Sequence, residues 1–427
     1  MTDQAEKSVA RAGLAPTRAV LENGAVVIGK KTSATPAVSI NIALGAGSIC
    51  DPVDAPGATW LLSRVLDRGT AGRSSDDIAE ALDSRGITLT IAVTRHLLSL
   101  ACTCRAVDFE AVFELMGDVI VAPSFPDGEI ATRKGQVITA IRQDLDNPAV
   151  RAGEGLMALL YPGGHPYGRP TKGTLAVVEG LTRPRLLQLH AARFVPSQLT
   201  AVVVGDVDVS RATDAAERAF GGWRAPAPAP IPLESPPRPV ERRRLVIPMM
   251  NKAQADICYG FVAITRSDPS YYAFWLMNNV FGQYAMAGRL GDSIRERQGM
   301  AYYVSSALDA NIVEGPLVIR AGVNPANVDR AVASIDEEVA SIAKDGVTPK
   351  ELDESRRYLT GSLPRALETN EAIAHFLQQA EFFGLGLDYD VRLPELLRSV
   401  TLDGVNATAR TLDPGRATVV IAGPYES

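Results

Sequence analysis

Four histidines and four cysteines are the side chains in this sequence best suited to hold a metal or attack a carbonyl. His96, His165, His190 and His375 are separated by tens of residues. A lone histidine is more often a structural or surface residue than a ligand. Cys102 and Cys104 sit two apart in an apolar run, so on a strand they share one face and pack as small hydrophobes. Cys50 and Cys258 are far from them, which excludes a disulfide framework and fits reduced thiols. There is no Gly-x-Ser-x-Gly elbow, no Cys/His pairing that can be localised and no phosphate-cradling loop. One segment, 57–70, has helical metal-site spacing, because residues four apart share a helix face and two histidines there could clamp one ion. Its positions 60 and 64 hold Trp60, with one N–H donor, and Arg64, with five; neither has a lone pair for a metal. Ser63 between them cannot act as a base at neutral pH without an activating partner.

The elements that must position these residues fall into two similar halves. From Ala225 to Val240 the chain carries Pro226, Pro228, Pro230, Pro232, Pro236, Pro237 and Pro239, a composition that stays extended and forms no core. Before and after it the same order recurs, as in an internal repeat. A strand (25–28; 245–247) is followed by a second (38–44; 256–262), then a long helical stretch (136–160; 351–383), another helix and a closing β-branched strand (199–204; 417–421). Strand clusters between helices favour α+β over a doubly wound sheet. Ser74–Gly86 opens with hydroxyl caps and acids and closes on glycine, predicting a short helix. Thr88–Thr103 alternates as an antiparallel strand pair does. The chain has 427 residues, 46% hydrophobic, and a formal charge of −6 with both signs scattered, which gives no basis for nucleic-acid binding. Arg242–Arg244 reads as a solvated strand entry. The opening residues lack an apolar signal segment and no apolar run is long enough to span a bilayer, so a cytoplasmic protein is expected.

The stretch Gly57–Thr70 is similar to the active-site helix of the pitrilysin/insulinase family of zinc metallopeptidases. That helix carries His-x-x-Glu-His between a glycine and a Gly-Thr pair; the flanks are present here, but the motif positions are Trp60, Ser63 and Arg64. Gly135–Pro148 resembles the family's second helix, and the position of its third ligand, a glutamate, falls at Ala140. Gly288–Val304 resembles the family's C-terminal segment, in which an arginine is followed seven positions later by a tyrosine; Arg295 and Tyr302 occupy those positions. The resemblance implies that these two side chains bind substrate carbonyls and the developing oxyanion, work for which a guanidinium fork and a phenol are suited. Arg and Tyr at this spacing alone usually serve surface or packing roles; the surrounding segment is what favours function. Arg297 is expected to be solvated and Tyr303 to lie in the core. The matching pieces also include Asp51-Pro52, the His165–Pro170 loop, Gln254–Tyr272 and Gly361–Tyr389, so the resemblance covers nearly the whole chain. One departure is Thr90-Ile91 where the family strand carries Asn-Ala for substrate contact.

By resemblance, then, the fold is α+β, with two homologous α/β-sandwich halves like those of mitochondrial processing peptidase. A tail over 1–16, an N-terminal half over 17–223, a linker over 224–240 and a C-terminal half over 241–427 would close as a clamshell. The implied function is that of a non-catalytic subunit of a heterodimeric zinc peptidase. It would hold no metal or cofactor itself, and a homologous partner would supply zinc, water and general base. A scaffold protein of the same fold is the alternative. Arg64, a permanent cation at a former ligand position, either pairs with nearby acids or reaches solvent.

Overall fold

The computed structural model describes residues 13–283 and 288–426; of the tail expected over 1–16, residues 1–12 lie outside the described residues. Two sheets stand on either side of segment 225–240. The first contains β1 (Thr17–Val20), β2 (Val26–Lys31), β3 (Ala37–Leu44), β4 (Thr90–Val93), β5 (Leu98–Arg105) and β6 (Leu199–Gly205), in the order β1-β2-β6-β3-β5-β4. The second contains β7 (Arg243–Pro248), β8 (Ala255–Val262), β9 (Ala301–Leu308), β10 (Pro316–Val323) and β11 (Thr418–Gly423), in the order β7-β11-β8-β10-β9. Leaving β1 aside, the two orders are one topology. The first strand pairs parallel with the last (β2 with β6, β7 with β11) and every other pairing is antiparallel. The strands expected from the sequence are all present, within three residues of their expected ends.

The helices of the first half are α1 (Ala58–Val65), α2 (Ser75–Asp83), α3 (Phe109–Val121), α4 (Asp127–Leu145), α5 (Pro148–Leu160), α6 (Leu175–Gly180), α7 (Arg183–Arg193) and α8 (Val209–Phe220). Those of the second are α9 (Tyr271–Asn278), α10 (Val328–Asp345), α11 (Pro349–Ala366), α12 (Asn370–Phe382), α13 (Tyr389–Ser399) and α14 (Leu402–Ala409). Each long stretch expected as helical, 136–160 and 351–383, is therefore two helices. At the first break Asn147 accepts from the backbone N–H groups of Ala149 and Val150, with Pro148 at the first helical position, where its missing N–H costs nothing. At the second, the Thr369 hydroxyl accepts from Ala372 N–H. A new cap restarts each helix in a new direction.

Those redirected helices join the halves. α5 leaves its own half and packs Ala152, Leu156 and Leu160 against Cys258, Val262, Val318 and Val420 of the second sheet. A Cβ at Gly260 would lie 2.9 Å from a Leu156 methyl, so glycine there allows the close approach. Reciprocally, α12 packs Ile373, Ala374 and Leu377 on Ile28, Val202 and Val204 of the first sheet. On the outer face of each sheet, helices bury a separate large core, with Phe109, Phe113 and Phe220 in the first and Tyr259, Phe274 and Phe281 in the second. The proline-rich segment forms no regular element and is tied to both halves: Arg193 donates to Ala229 O at 2.7 Å, His165 Nε2 lies 3.1 Å from Glu234 O, and Arg238 donates to Ala263 O at 2.9 Å. Of Arg242–Arg244, which lead into β7, only Arg244 is exposed as expected, and Arg242 and Arg243 are half-buried. Arg242 pairs with Asp336 at 2.7 Å, Arg243 donates to Leu159 O and Arg244 to the Tyr425 hydroxyl.

Candidate functional site

Helix α1 begins in an unusual way. Gly57 precedes it at φ +92, and the buried carboxylate of Asp51 accepts from Gly57 N–H and Thr59 N–H, both at 2.7 Å. Burial pushes the Asp51 carboxyl up, against these bonds and the Arg169 charge. A Cβ at Gly57 would come within 2.4 Å of Lys172 O, so glycine lets the 170–174 loop press against the helix start.

That contact decides what surrounds the motif positions. Lys172 Nζ lies 5.7 Å from the centre of the Trp60 ring, and the Arg64 guanidinium stands over the same ring at 4.5 Å. Cations over an indole face are electrostatically attracted to it. Lys172 also pairs at 2.6 Å with Asp144, one helical turn beyond Ala140 on α4, the helix packed against α1. Ser63 is buried and donates to Trp60 O at 2.7 Å, a bond within its own helix that leaves it no role as a base. Arg64 is half-buried; burial lowers its pKa while Asp67 counters, and it makes no ion pair with a carboxylate among the described residues. Ala140 is half-buried and carries no ligand atom. Trp60, Ser63, Arg64 and Ala140 thus stand together on α1 and α4 with two cations and no donor set for zinc. Among the described residues no three His, Cys, Asp or Glu side chains gather closely enough to hold a metal ion. The donors present at this position do not fit a zinc ion.

The histidines take structural posts. His96 Nε2 lies 2.6 Å from the Tyr167 hydroxyl in the interior, and burial with the neighbouring Arg95 charge brings its pKa down to about 4. His165 accepts from Tyr167 N–H and fixes the loop, as expected. His190 is bonded to Ile120 O, and His375 is exposed on α12.

Arg295 lies on a π-helical turn, Gly291–Arg297, leading into β9. Such turns interrupt helix regularity and re-aim side chains. Among the described residues the only polar partner of its side chain is Glu296 at 3.8 Å, and 41% of the side chain is exposed. Tyr302 is 63% exposed and falls where the pairing of β9 with β10 slips: Tyr303 faces Gly322 and Ala301 faces Val323, so Tyr302 has no partner across the ladder. A bulge of this kind turns a side chain out of the sheet. Arg297 pairs with Asp292 at 2.9 Å in solvent, as expected. Tyr303 is not a core residue: it is 37% exposed, and its hydroxyl donates to the buried Asp256 carboxylate at 2.5 Å. Burial and that bond both push its pKa up. Thr90 is exposed and Ile91 buried on β4. β4 and β9 are the outer strands of their sheets. No bond or ion pair links Arg295 or Tyr302 to the α1 residues among the described residues.

Sequence reasoning missed Lys172, Asp144, Asp51 as a cap, and the Tyr303–Asp256 pair. Gly57 and Gly173 were the available signals for the first of these, since paired glycines mark close backbone approach.

Comparisons with known proteins agree on one family. Residues 26–172 match the model of the insulinase family (peptidase family M16), and residues 180–359 match that of the peptidase M16 inactive domain. An uncharacterized zinc protease of Mycobacterium leprae is 28% identical over 430 residues, covering 99% of this chain and 95% of its own. One of Bacillus subtilis is 26% identical, covering 92% and 95%. The crystal structure of a peptidase M16 inactive domain from Pseudomonas fluorescens superposes with a TM-score of 0.88 at 25% identity, over 96% of this chain and 98% of that one. A protease from Helicobacter pylori shares the fold, with a TM-score of 0.88 at 15% identity.

Proposed function

Because this chain belongs to the insulinase family of peptidases, family M16, we propose that it is the non-catalytic subunit of a heterodimeric zinc peptidase. A homologous partner carrying His-x-x-Glu-His supplies the metal, the water and the general base. This chain supplies Arg295 and Tyr302 as donors to substrate carbonyls and to the oxyanion of the tetrahedral intermediate. Its cofactor complement is none, and its setting is the cytoplasm, where its four buried thiols stay reduced.

One contrast carries the reading. At the α1 position two cations lie near one indole ring where a zinc ion would need lone pairs, whereas Arg295 and Tyr302 are exposed and make no strong contact with their own chain among the described residues. The open outer edge of β9, next to both, offers main-chain groups to an extended peptide, a mode that tolerates varied sequence.

The test is reconstitution with a zinc-bearing homologue from the source cell, measuring kcat/KM for peptide hydrolysis. The chain alone is expected to cleave nothing. In the pair, Arg295→Ala is expected to lower kcat/KM by roughly 10²- to 10³-fold, and Tyr302→Phe to act in the same direction. Rates unchanged by both substitutions would leave the scaffold alternative in its place.

A further inference from the structure

A cavity of about 760 Å³ lies where the tip of the β4–β5 hairpin, Thr94–Leu97, meets helices α9, α11, α12 and α13 of the other half. It is separate from the α1 position and from Arg295 and Tyr302, and its size is that of pockets for drug-sized ligands. Six aromatic side chains contribute to its wall: Tyr271, Trp275, Phe376, Phe382, Phe383 and Tyr389.

Its charges do not balance. Arg95 is neutralised by Asp309 at 3.0 Å, and among the described residues Asp309 is the only carboxylate on the wall. His96 is held neutral by burial. Arg266, the remaining cation, is half-buried: its guanidinium lies 3.7 Å from the centre of the Tyr271 ring and 5.8 Å from those of Phe383 and Tyr389. One of its N–H groups donates to the Tyr389 hydroxyl at 2.9 Å, and it forms no ion pair with a carboxylate among the described residues. Ring faces and a phenol orient a guanidinium without cancelling its charge. A cation fixed in this way and left uncompensated in an apolar pocket favours a monoanion, and its planar fork matches a carboxylate.

We infer that this cavity binds a monocarboxylate carried on an aromatic or branched apolar body, with the carboxylate on Arg266 and the body among Trp275, Phe376 and Phe382. Such a group occurs at the free C-terminus of a peptide ending in an apolar residue, and on a small aryl acid. The site stands apart from the proposed peptidase role, so its failure would leave that role untouched.

Isothermal titration of the isolated full-length chain decides the matter. The probes are 3-(2-naphthyl)propionate and N-acetyl-Leu-Phe, each compared with its primary amide. Saturable 1:1 binding of at least one acid is expected, with its amide weaker by roughly tenfold to a hundredfold, the loss typical of a charge-assisted bond. Arg266→Gln is expected to weaken the acid by a similar factor and leave the amide nearly unchanged, while Arg297→Ala changes neither. The tighter acid identifies the source, peptide terminus or small acid. Amides binding as well as acids, or no saturable binding by either acid, would overturn the inference. Should Arg266→Gln fail to fold, the acid-to-amide ratio on the unmodified chain decides it.

Discussion

At the α1 position the Arg64 guanidinium and the Lys172 ammonium both lie near the Trp60 ring, so the site bears positive charge and presents no donor set for a metal. Arg64 presents a guanidinium with donors only, and Trp60 offers an N–H and a ring face, so neither supplies a lone pair there. His96 responds to pH. Its pKa is about 4 in the folded chain, against an ordinary value near 6.5. Between these values the unfolded chain binds a proton that the folded chain cannot. Stability contributed by neutral His96 is therefore complete above about pH 6.5, is lost as pH falls toward about 4, and declines no further below that. His96→Asn is expected to flatten this part of the profile, read as urea midpoints at pH 7, 5.5 and 4. Parallel profiles for the two proteins would contradict it.

Among elements, α1 depends on a residue outside itself. Asp51 satisfies two N–H groups at the helix start that have no partner within the helix. Asp51→Ala is expected to cost about 1–3 kcal/mol, the penalty for leaving buried donors unmade, measured by denaturant unfolding. A loss below a few tenths would mean that water replaces the carboxylate. The helix breaks at Asn147-Pro148 and Thr369 were readable, since Asn-Pro and Thr-x-x are capping signals, and the periodic apolar pattern running through both obscured them. The bulge at Tyr302 was not readable. A register slip depends on the partner strand, and nothing in Ala301–Leu308 alone specifies it.

The whole molecule is two copies of one topology locked by exchanged helices, so neither half completes its burial alone. Leu156 belongs to the first half and is buried on the sheet of the second. Leu156→Ala is expected to lower global stability by about 2–5 kcal/mol, as for other buried leucines. If the loss were under about 1 kcal/mol, the exchange would be incidental to the stability of the joined halves. The same exchange forms the Arg266 cavity, whose walls come from both halves.

The sequence by itself determined most of the strands (not β1, β9 or β10), their repetition across the proline-rich segment and the lack of metal-donor side chains at Trp60, Arg64 and Ala140. These follow from residue type and short-range spacing, which the chain carries locally. Only the tertiary structure decided that Lys172 would join Arg64 on Trp60, that Tyr303 would bond Asp256 rather than enter the core, and that α5 and α12 would cross between halves. Each of these is a contact between residues dozens to hundreds of positions apart, selected by which surfaces meet once the sheets have formed.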